Sequence, residues 1–504
     1  MAMMTPGVYI VEKDAFPNSV VEVATAVPAF IGYTAKHDDK GQDLRLKPTK
    51  VTSLAEYAGY FGGAPKLAGL YSLTGDQPEG LDNGPPNPVV TLPDGPLYLH
   101  RKEGSRRYMY YGMRSFYQNG GGPCYIVSLG TYEDKLSKDD FVAGIAELLK
   151  EQEPTMLVFP DAVLLEAAEC LEVQQVALDH CAKTQSRFTI ADVPQGYLSK
   201  KDCINDFREG TTSDNRRYGA AYYPWIETTV VSAADSELTF QVLDKGAEAI
   251  GKILADELVD PKTKEPVKEA IDKLMAGVNE ADSGTKVSTA HDGLIAASKR
   301  FAEVMKQVRV DVNRLPPSAT MAGVYTRVDN SRGVWKAPAN VGLTGVVRPS
   351  VNITHDDQED LNVHVTGKSV NAIRSFIGEG TLVWGARTLD GNSLDWRYIQ
   401  VRRTMIMLEQ SIKLATKAYV FEANDANTWV TLKSMIRNFL TGIWKRGGLA
   451  GASPDAAFSV HVGLGETMTP EDILEGILRV TVLVAPTRPA EFIEITFQQK
   501  MQES

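Results

Sequence analysis

The sequence predicts a mixed α/β (α+β) protein of several domains. Three observations carry that expectation. Residues 139–200 read as helix, strand, helix, strand, the pattern of a parallel crossover unit. Residues 236–310 are rich in Ala, Glu, Lys and Asp, poor in aromatic residues, and read as successive helices. The last third mixes amphipathic helices with strand-like runs. At 504 residues the chain has room for several domains of about 150 residues each. A chain this long buries most of its apolar surface without disulfide staples.

From the N-terminus, Gly7-Val8-Tyr9-Ile10-Val11 is a β-prone run behind Thr5-Pro6, where proline rejects helix. Val20 to Val27 and Ala29 to Gly32 form a second strand-like stretch, and 51–61 fits a short amphipathic helix. Residues 75–96 hold six prolines and four glycines, so a surface loop is expected. In the crossover, helix Asp139 to Gln152 leads to strand Met156–Phe159. Helix 162–183 then leads to strand Phe188–Ala191. Tyr218 to Val231 is strand-rich. The helical stretch 236–310 breaks at Pro261 to Pro266 and near Gly284, and reads as an insertion on an outer surface. Residues 314–346 return to loops and short strands.

Helices are expected at 398–417 and 427–445. A third opens at Thr469-Pro470, where Glu471 and Asp472 suit a helix N-terminus. Strands follow at 477–486 and 491–499. The last alternates Ile493, Ile495 and Phe497 with Glu494, Thr496 and Gln498. No internal repeat is evident.

The charge balance, 53 basic against 64 acidic residues for a net −11, argues against a nucleic-acid coat or an anionic-membrane binder. Four scattered cysteines make no disulfide framework and read as buried thiols in a reducing compartment. The first residues carry charge where a signal peptide needs an apolar stretch, and no 18-residue apolar run occurs. Synthesis and folding in the cytoplasm are expected.

Tests for chemistry fail in turn. Gly367-Lys368-Ser369 has the tail of a phosphate loop, but the position where the upstream glycine belongs is Asn362. Gly378-Glu379-Gly380 and Gly120-Gly121-Gly122 lack dinucleotide spacing. His355, Asp356, Asp357, Glu359, Asp360 and His364 form the densest set of ligand-type side chains; they read as a solvated acidic loop. His180-Cys181 reads as a packed helix face, and no G-x-S-x-G elbow occurs. No catalytic, cofactor-binding or metal residue is therefore assigned, and no enzyme activity is expected. The rival reading is a cytoplasmic α/β enzyme. It would place a small-molecule site at the carboxyl ends of the 154–193 crossover, lined by Asp161 and Asp192.

Ordered blocks near the two ends carry a resemblance. TPGVYIVEKD followed by VATAVPAFIGYT opens the chain. LPPSATMAGVYTRVDNSRGVWKAPANVGLTG covers 315–345, and NAIRSFIGEGTLVWGARTLDGNSLDWRYIQVRRT covers 371–404. Tyr419 to Asp425 and Val484 to Phe492 continue the series. Together they resemble the contractile tail sheath family: sheaths of phage tails, phage-tail-like bacteriocins and extracellular injection particles. The helical residues 236–310 depart from the family pattern, which runs from Tyr223-Pro224-Trp225 to the P-P-S block over a short link.

The resemblance implies a structural subunit of stacked hexameric rings around an inner tube, contracting to drive that tube through an envelope. It implies an N-terminal arm at 1–22, an outer α/β domain at 23–338, a core domain facing the tube at 339–486 and a C-terminal arm at 487–504. The arms would exchange strands between copies through Val8, Tyr9, Ile10, Val11 and Glu12, and through Phe492, Ile493, Glu494, Ile495, Thr496 and Phe497. Strand exchange suits these β-prone ends, because a lone strand is unstable unless paired. Tube contacts are assigned to Arg437, Lys445, Arg446, Glu471, Asp472 and Glu475. Arg387, Arg397, Arg402 and Arg403, near Trp384, Trp396 and Tyr398, read as buried or interface donors that fix the core. The implied partners are other copies of the chain, the inner tube protein, and baseplate and terminal cap proteins, with no nucleic acid and no membrane insertion. Assembly is expected in the bacterial cytoplasm, as part of a phage tail or phage-tail-like particle that can be released outside the cell. A baseplate or ring scaffold is the remaining alternative.

Overall fold

Strands Pro28–Thr34, Cys124–Thr131, Met156–Val158, Phe188–Asp192 and Gly219–Tyr223 are buried along nearly their whole length. They lack the alternation of a one-sided sheet, and such strands pair in parallel with cover on both faces. In this computed structural model, which describes residues 19–77, 88–235, 237–259, 262, 266–281, 284–492 and 494, they form the middle of a nine-stranded sheet. Across the parallel part the order is Cys124–Thr131, Pro28–Thr34, Met156–Val158, Phe188–Asp192, Gly219–Tyr223, Asn371–Phe376. Thr49–Val51 closes one edge antiparallel, and Gly380–Trp384 followed by Val341–Gly342 closes the other. The first two strands of the parallel part thus lie side by side, and its later strands add on the far side of Pro28–Thr34. The direction of winding reverses there.

The predicted crossover is present. Helix Lys138–Glu147 precedes Met156–Val158, and helix Ala167–Thr184 joins that strand to Phe188–Asp192. Helix Leu54–Phe61 sits inside its expected window, capped by Ser53.

Contacts divide the chain into two units: Thr25–Arg332 with Ala337–Arg402, and Met1–Ala24 with Gly333–Lys336 and Arg403–Ser504. Asn371–Phe376 and Gly380–Trp384 complete the large sheet and tie 339–402 to the larger unit.

Four expectations are corrected. Val20 to Ala26 is not a strand; Val27 instead accepts the Thr155 N–H at 2.8 Å and the strand starts at Pro28. The loop at 75–96 contains a hairpin in its described part, Val90–Leu92 against Gly95–Arg101, in which Pro93-Asp94 is the turn. Residues 318–332, expected as loop and short strand, form a 15-residue helix. It is buried on all sides through most of its length, so it shows no amphipathic period to read. It packs on helix Met109–Gln118 through small residues. Ser115 Oγ and Thr320 Oγ1 lie 2.6 Å apart, and a Cβ on Gly323 would stand 2.5 Å from the Phe116 carbonyl oxygen. The acidic stretch at 355–362 is a helix whose N-terminus carries a capping box between Thr354 and Asp357.

The stretch 236–310 is helical as expected: Gly246–Glu257, Lys268–Asn279, Gly284–Ala297 and Lys299–Val312. The last of these buries Phe301, Val304, Met305, Val308 and Val312. Among the described residues no helix is long and apolar enough to cross a membrane.

Candidate assembly surface

In the smaller unit, helices Ile399–Thr416 (from Arg403 onward) and Ala426–Lys445 share one apolar core with Phe458 and Val460. Asp425 caps the second helix by accepting the Thr428 N–H at 3.0 Å. Strands Phe458–His461 and Thr481–Val484 pair antiparallel, Phe458 opposite Val484 and His461 opposite Thr481. That sheet has two strands among the described residues. A two-stranded sheet is marginal alone and here stands on the helix it packs against. Among the described residues its edges carry no further strand, although Leu449 bridges Pro486 just past Val484, and Leu483 is 58% exposed. Such edges present unpaired N–H and C=O groups to another chain.

Two apolar grooves adjoin this sheet and its helices. One, of about 640 Å³, is lined by Met405, Leu408, Ile412, Leu432, Val482 and Val484. The other, of about 650 Å³, is lined by Val20, Met435, Phe439, Gly442, Ile443 and Arg446. The first described residues run into the second groove. The Val23 N–H donates to Ser411 Oγ at 3.1 Å, and Arg446 pairs with Glu22.

Among the predicted strand-exchange residues, Val8, Tyr9, Ile10, Val11, Glu12, Ile493, Ile495, Thr496 and Phe497 lie outside the described residues. Phe492 is 74% exposed, and Glu494 is exposed and outside any strand.

The charged residues assigned to the tube are not gathered into one cluster. Arg437 pairs with Asp455 at 3.0 Å, its guanidinium over the Phe458 ring. Arg446 covers the Trp335 ring besides binding Glu22. Asp472 accepts the Thr469 N–H and pairs with Arg479 at 2.9 Å; these contacts, Arg479 first, hold its carboxyl below the usual range. Lys445, Glu471 and Glu475 are exposed. Sequence reasoning missed Glu22, Asp455, Trp335 and Arg479. Nothing local marks Glu22, which meets Arg446 across more than four hundred residues.

The arginines read as buried are so at Arg387, Arg402 and Arg403. Arg402 lies between the Trp396 and Tyr218 rings, at 4.5 and 4.7 Å. Arg387 Nη1 donates to the Gly391 carbonyl and Arg397 Nε to that of Ser393. Trp384 packs against the Phe376 ring, with centroids 4.6 Å apart and planes tilted by 51°.

The rival site is filled by the chain itself. In an open α/β sheet the ligand crevice lies where winding reverses, at the carboxyl ends of the strands. There the buried Asp161 carboxylate accepts the N–H groups of Tyr33 (3.0 Å), Tyr108 (2.5 Å) and Met109 (3.3 Å). It thereby ties a strand end to the N-terminus of helix Met109–Gln118. A Cβ on Gly32 would stand 2.8 Å from this carboxylate. Asp192 does the same for helix Ser318–Arg332, accepting the Ser318 N–H at 2.8 Å and its hydroxyl. Burial raises both carboxyls, that of Asp192 to about 7.

The other chemical motifs are also engaged internally. Asp360 pairs with Arg208 and Lys200, and Lys368 Nζ donates to the Arg208 carbonyl. Among the described residues no group of His, Cys, Asp and Glu is placed to hold a metal ion. All four cysteines are buried, and burial pushes the Cys124 thiol up to about 12.

Residues 134–389 match the phage tail sheath protein central domain, and residues 392–500 match the phage tail sheath C-terminal domain. The tail sheath protein of Enterobacteria phage T4 is 24% identical over 273 residues, which is 53% of this chain and 40% of that protein. That of Vibrio phage KVP40 is 27% identical over 192 residues, 37% of this chain and 27% of its own length. The chain therefore matches less than half the length of these curated relatives. Two solved structures are similar over 99% of the chain. The sheath complex of an extracellular contractile injection system, PVC, in its contracted state has 26% identity and a TM-score of 0.62, with 99% of that chain covered. The anti-feeding prophage (AFP) helical sheath in its contracted state has 27% identity and a TM-score of 0.61, with 100% covered.

Proposed function

The chain belongs to the phage tail sheath family, and from that premise we propose that it is the structural subunit of a contractile sheath. Copies stack as hexameric rings around an inner tube, and the lattice shortens and widens to drive the tube through a target envelope. The observation that carries this reading is the two-stranded sheet Phe458–His461/Thr481–Val484, which carries no further strand among the described residues and has an apolar groove beside it.

Those edges accept strands from other copies. Val8, Tyr9, Ile10, Val11 and Glu12 supply one, and Phe492, Ile493, Glu494, Ile495, Thr496 and Phe497 supply the other. Main-chain hydrogen bonds give affinity and the grooves take alternate side chains. Asp14 to Asn18 and Pro486 to Pro489 act as hinges, so subunits move as rigid bodies while the strands hold the mesh. The domain roles follow: an arm at 1–22, an outer domain at 23–338 whose helical part decorates the particle, a tube-facing core at 339–486 and an arm at 487–504. Lys445, Glu471 and Glu475, with the internally paired Arg437, Arg446 and Asp472, give the tube a polar and weakly held face. The partners are other copies, the tube, the baseplate and a terminal cap. The particle is built in the bacterial cytoplasm and can act outside the cell. Contraction runs on lattice energy, with no catalytic step in this chain.

The test is assembly. Purified chain grows hollow helical tubes in negative-stain electron microscopy, and deletion of residues 1–14 abolishes them. Monomers that persist at high concentration overturn the reading, and closed rings that never lengthen move it to a scaffold. The enzyme alternative is not favoured, because backbone donors of the same chain occupy Asp161 and Asp192.

A further inference from the structure

A cavity of about 560 Å³ opens in the larger unit beside strand Gly95–Arg101 and helix Lys299–Val312. Its charge is lopsided. The Asp311 carboxylate accepts from Tyr71 Oη at 2.8 Å, from Arg101 Nη1 at 3.1 Å and from Arg106 Nη2. Burial acts to raise this carboxyl, but Arg106, Arg101 and Arg314 together hold it well below the carboxylate range. It is therefore ionised at any physiological pH, and one negative charge faces three guanidinium groups.

Of the three, Arg314 keeps a buried donor, its Nε, that is unbonded among the described residues. Its guanidinium lies over the Tyr197 ring at 5.6 Å. A buried donor left unbonded is costly, and an arginine fork suits an oxyanion. Lys102 and Glu103 at the rim offset each other. Leu99, Leu136, Leu164 and Val310 give the wall its apolar part, beside the polar His100 and Gln307. The surplus of positive charge matches a dianion, which a phosphate monoester is at neutral pH and a single carboxylate is not.

We propose that this cavity binds a phosphate monoester carried on an apolar or aromatic body, with the oxyanion on Arg314 and the body against Leu99 and Val310. The site is independent of sheath assembly and of the strand-exchange reading.

Isothermal titration of the full-length chain at low salt tests it, with phenyl phosphate, inorganic phosphate and benzoate as probes. Phenyl phosphate is expected to bind saturably at one site per chain, about tenfold tighter than inorganic phosphate, which lacks the apolar body, and than benzoate, which lacks the second charge. Arg314→Gln is expected to weaken phenyl phosphate about tenfold with an unchanged melting temperature. Gln307→Glu, which adds a carboxylate to the wall, moves affinity the same way and serves if the first variant misfolds. Absent saturable heat, equal affinity for benzoate, or full affinity in the variant that folds would each overturn the proposal.

Discussion

The two units treat their polar groups in opposite ways. In the larger one, carboxylates deep in the fold are answered by the same chain: Asp161 by three backbone N–H groups, Asp192 by Ser318, Asp311 by Tyr71 and two arginines. In the smaller one, a two-stranded sheet carries no further strand among the described residues and has an apolar groove alongside. Deep carboxylates answered within the same chain fix the packing of the elements they join. An unpaired sheet edge makes a connector.

The contrast breaks most visibly at the open edge. Leu483→Asp alters an exposed side chain, so the melting temperature of the monomer is expected to stay within about two degrees. Tube growth, followed by electron microscopy, is expected to stop. If tubes grow normally, the edge is not a connector.

Next comes the closed unit. Gly323→Val forces side-chain atoms against the Phe116 carbonyl where two helices touch. Overpacking there is expected to cost about 3 kcal/mol, read as a lower urea midpoint.

A smaller effect concerns pH. The Asp192 carboxyl sits near 7 in the folded chain because burial raises it, against about 4 when unfolded. Between those values the native state holds a proton that the unfolded state has released. This group therefore makes stability fall as pH rises from about 4 to 7 and level off above. Asp192→Asn is expected to reduce the difference between urea midpoints at pH 5 and pH 7.5. An unchanged difference would mean that the carboxyl titrates in its ordinary range.

Smallest is Arg437→Gln. The Asp455 pair is exposed, so the expected loss is about 0.5 kcal/mol or less in thermal unfolding. A larger loss would show that the Phe458 stack fixes the hairpin.

Legibility followed the range of the interactions. Helices at 138–147, 167–184, 399–416 and 426–445 show their period or their caps, and the parallel strands show as short apolar runs. Helix Ser318–Arg332 was illegible because it is covered all round, and the Val90–Leu92 hairpin because its Pro-Asp turn lay in a stretch that otherwise looks like loop. The charges assigned to the tube were legible as surface residues but not as pairs. Arg437 and Asp455 lie close in sequence, whereas Arg446 meets Glu22 from the opposite end of the chain.

By itself the sequence determined the mixed α/β class, the crossover, the β-prone ends and the blocks that mark the sheath family, since each is written in neighbouring residues. Only the tertiary structure decided that the reversal point of the sheet is plugged by Asp161 and a helix N-terminus. It also decided that Asp192 serves Ser318 from 126 residues away and that three arginines converge on Asp311. Periodicity is a local property of the chain. Which buried charge meets which donor depends on how distant segments pack, and no pattern along the sequence encodes it.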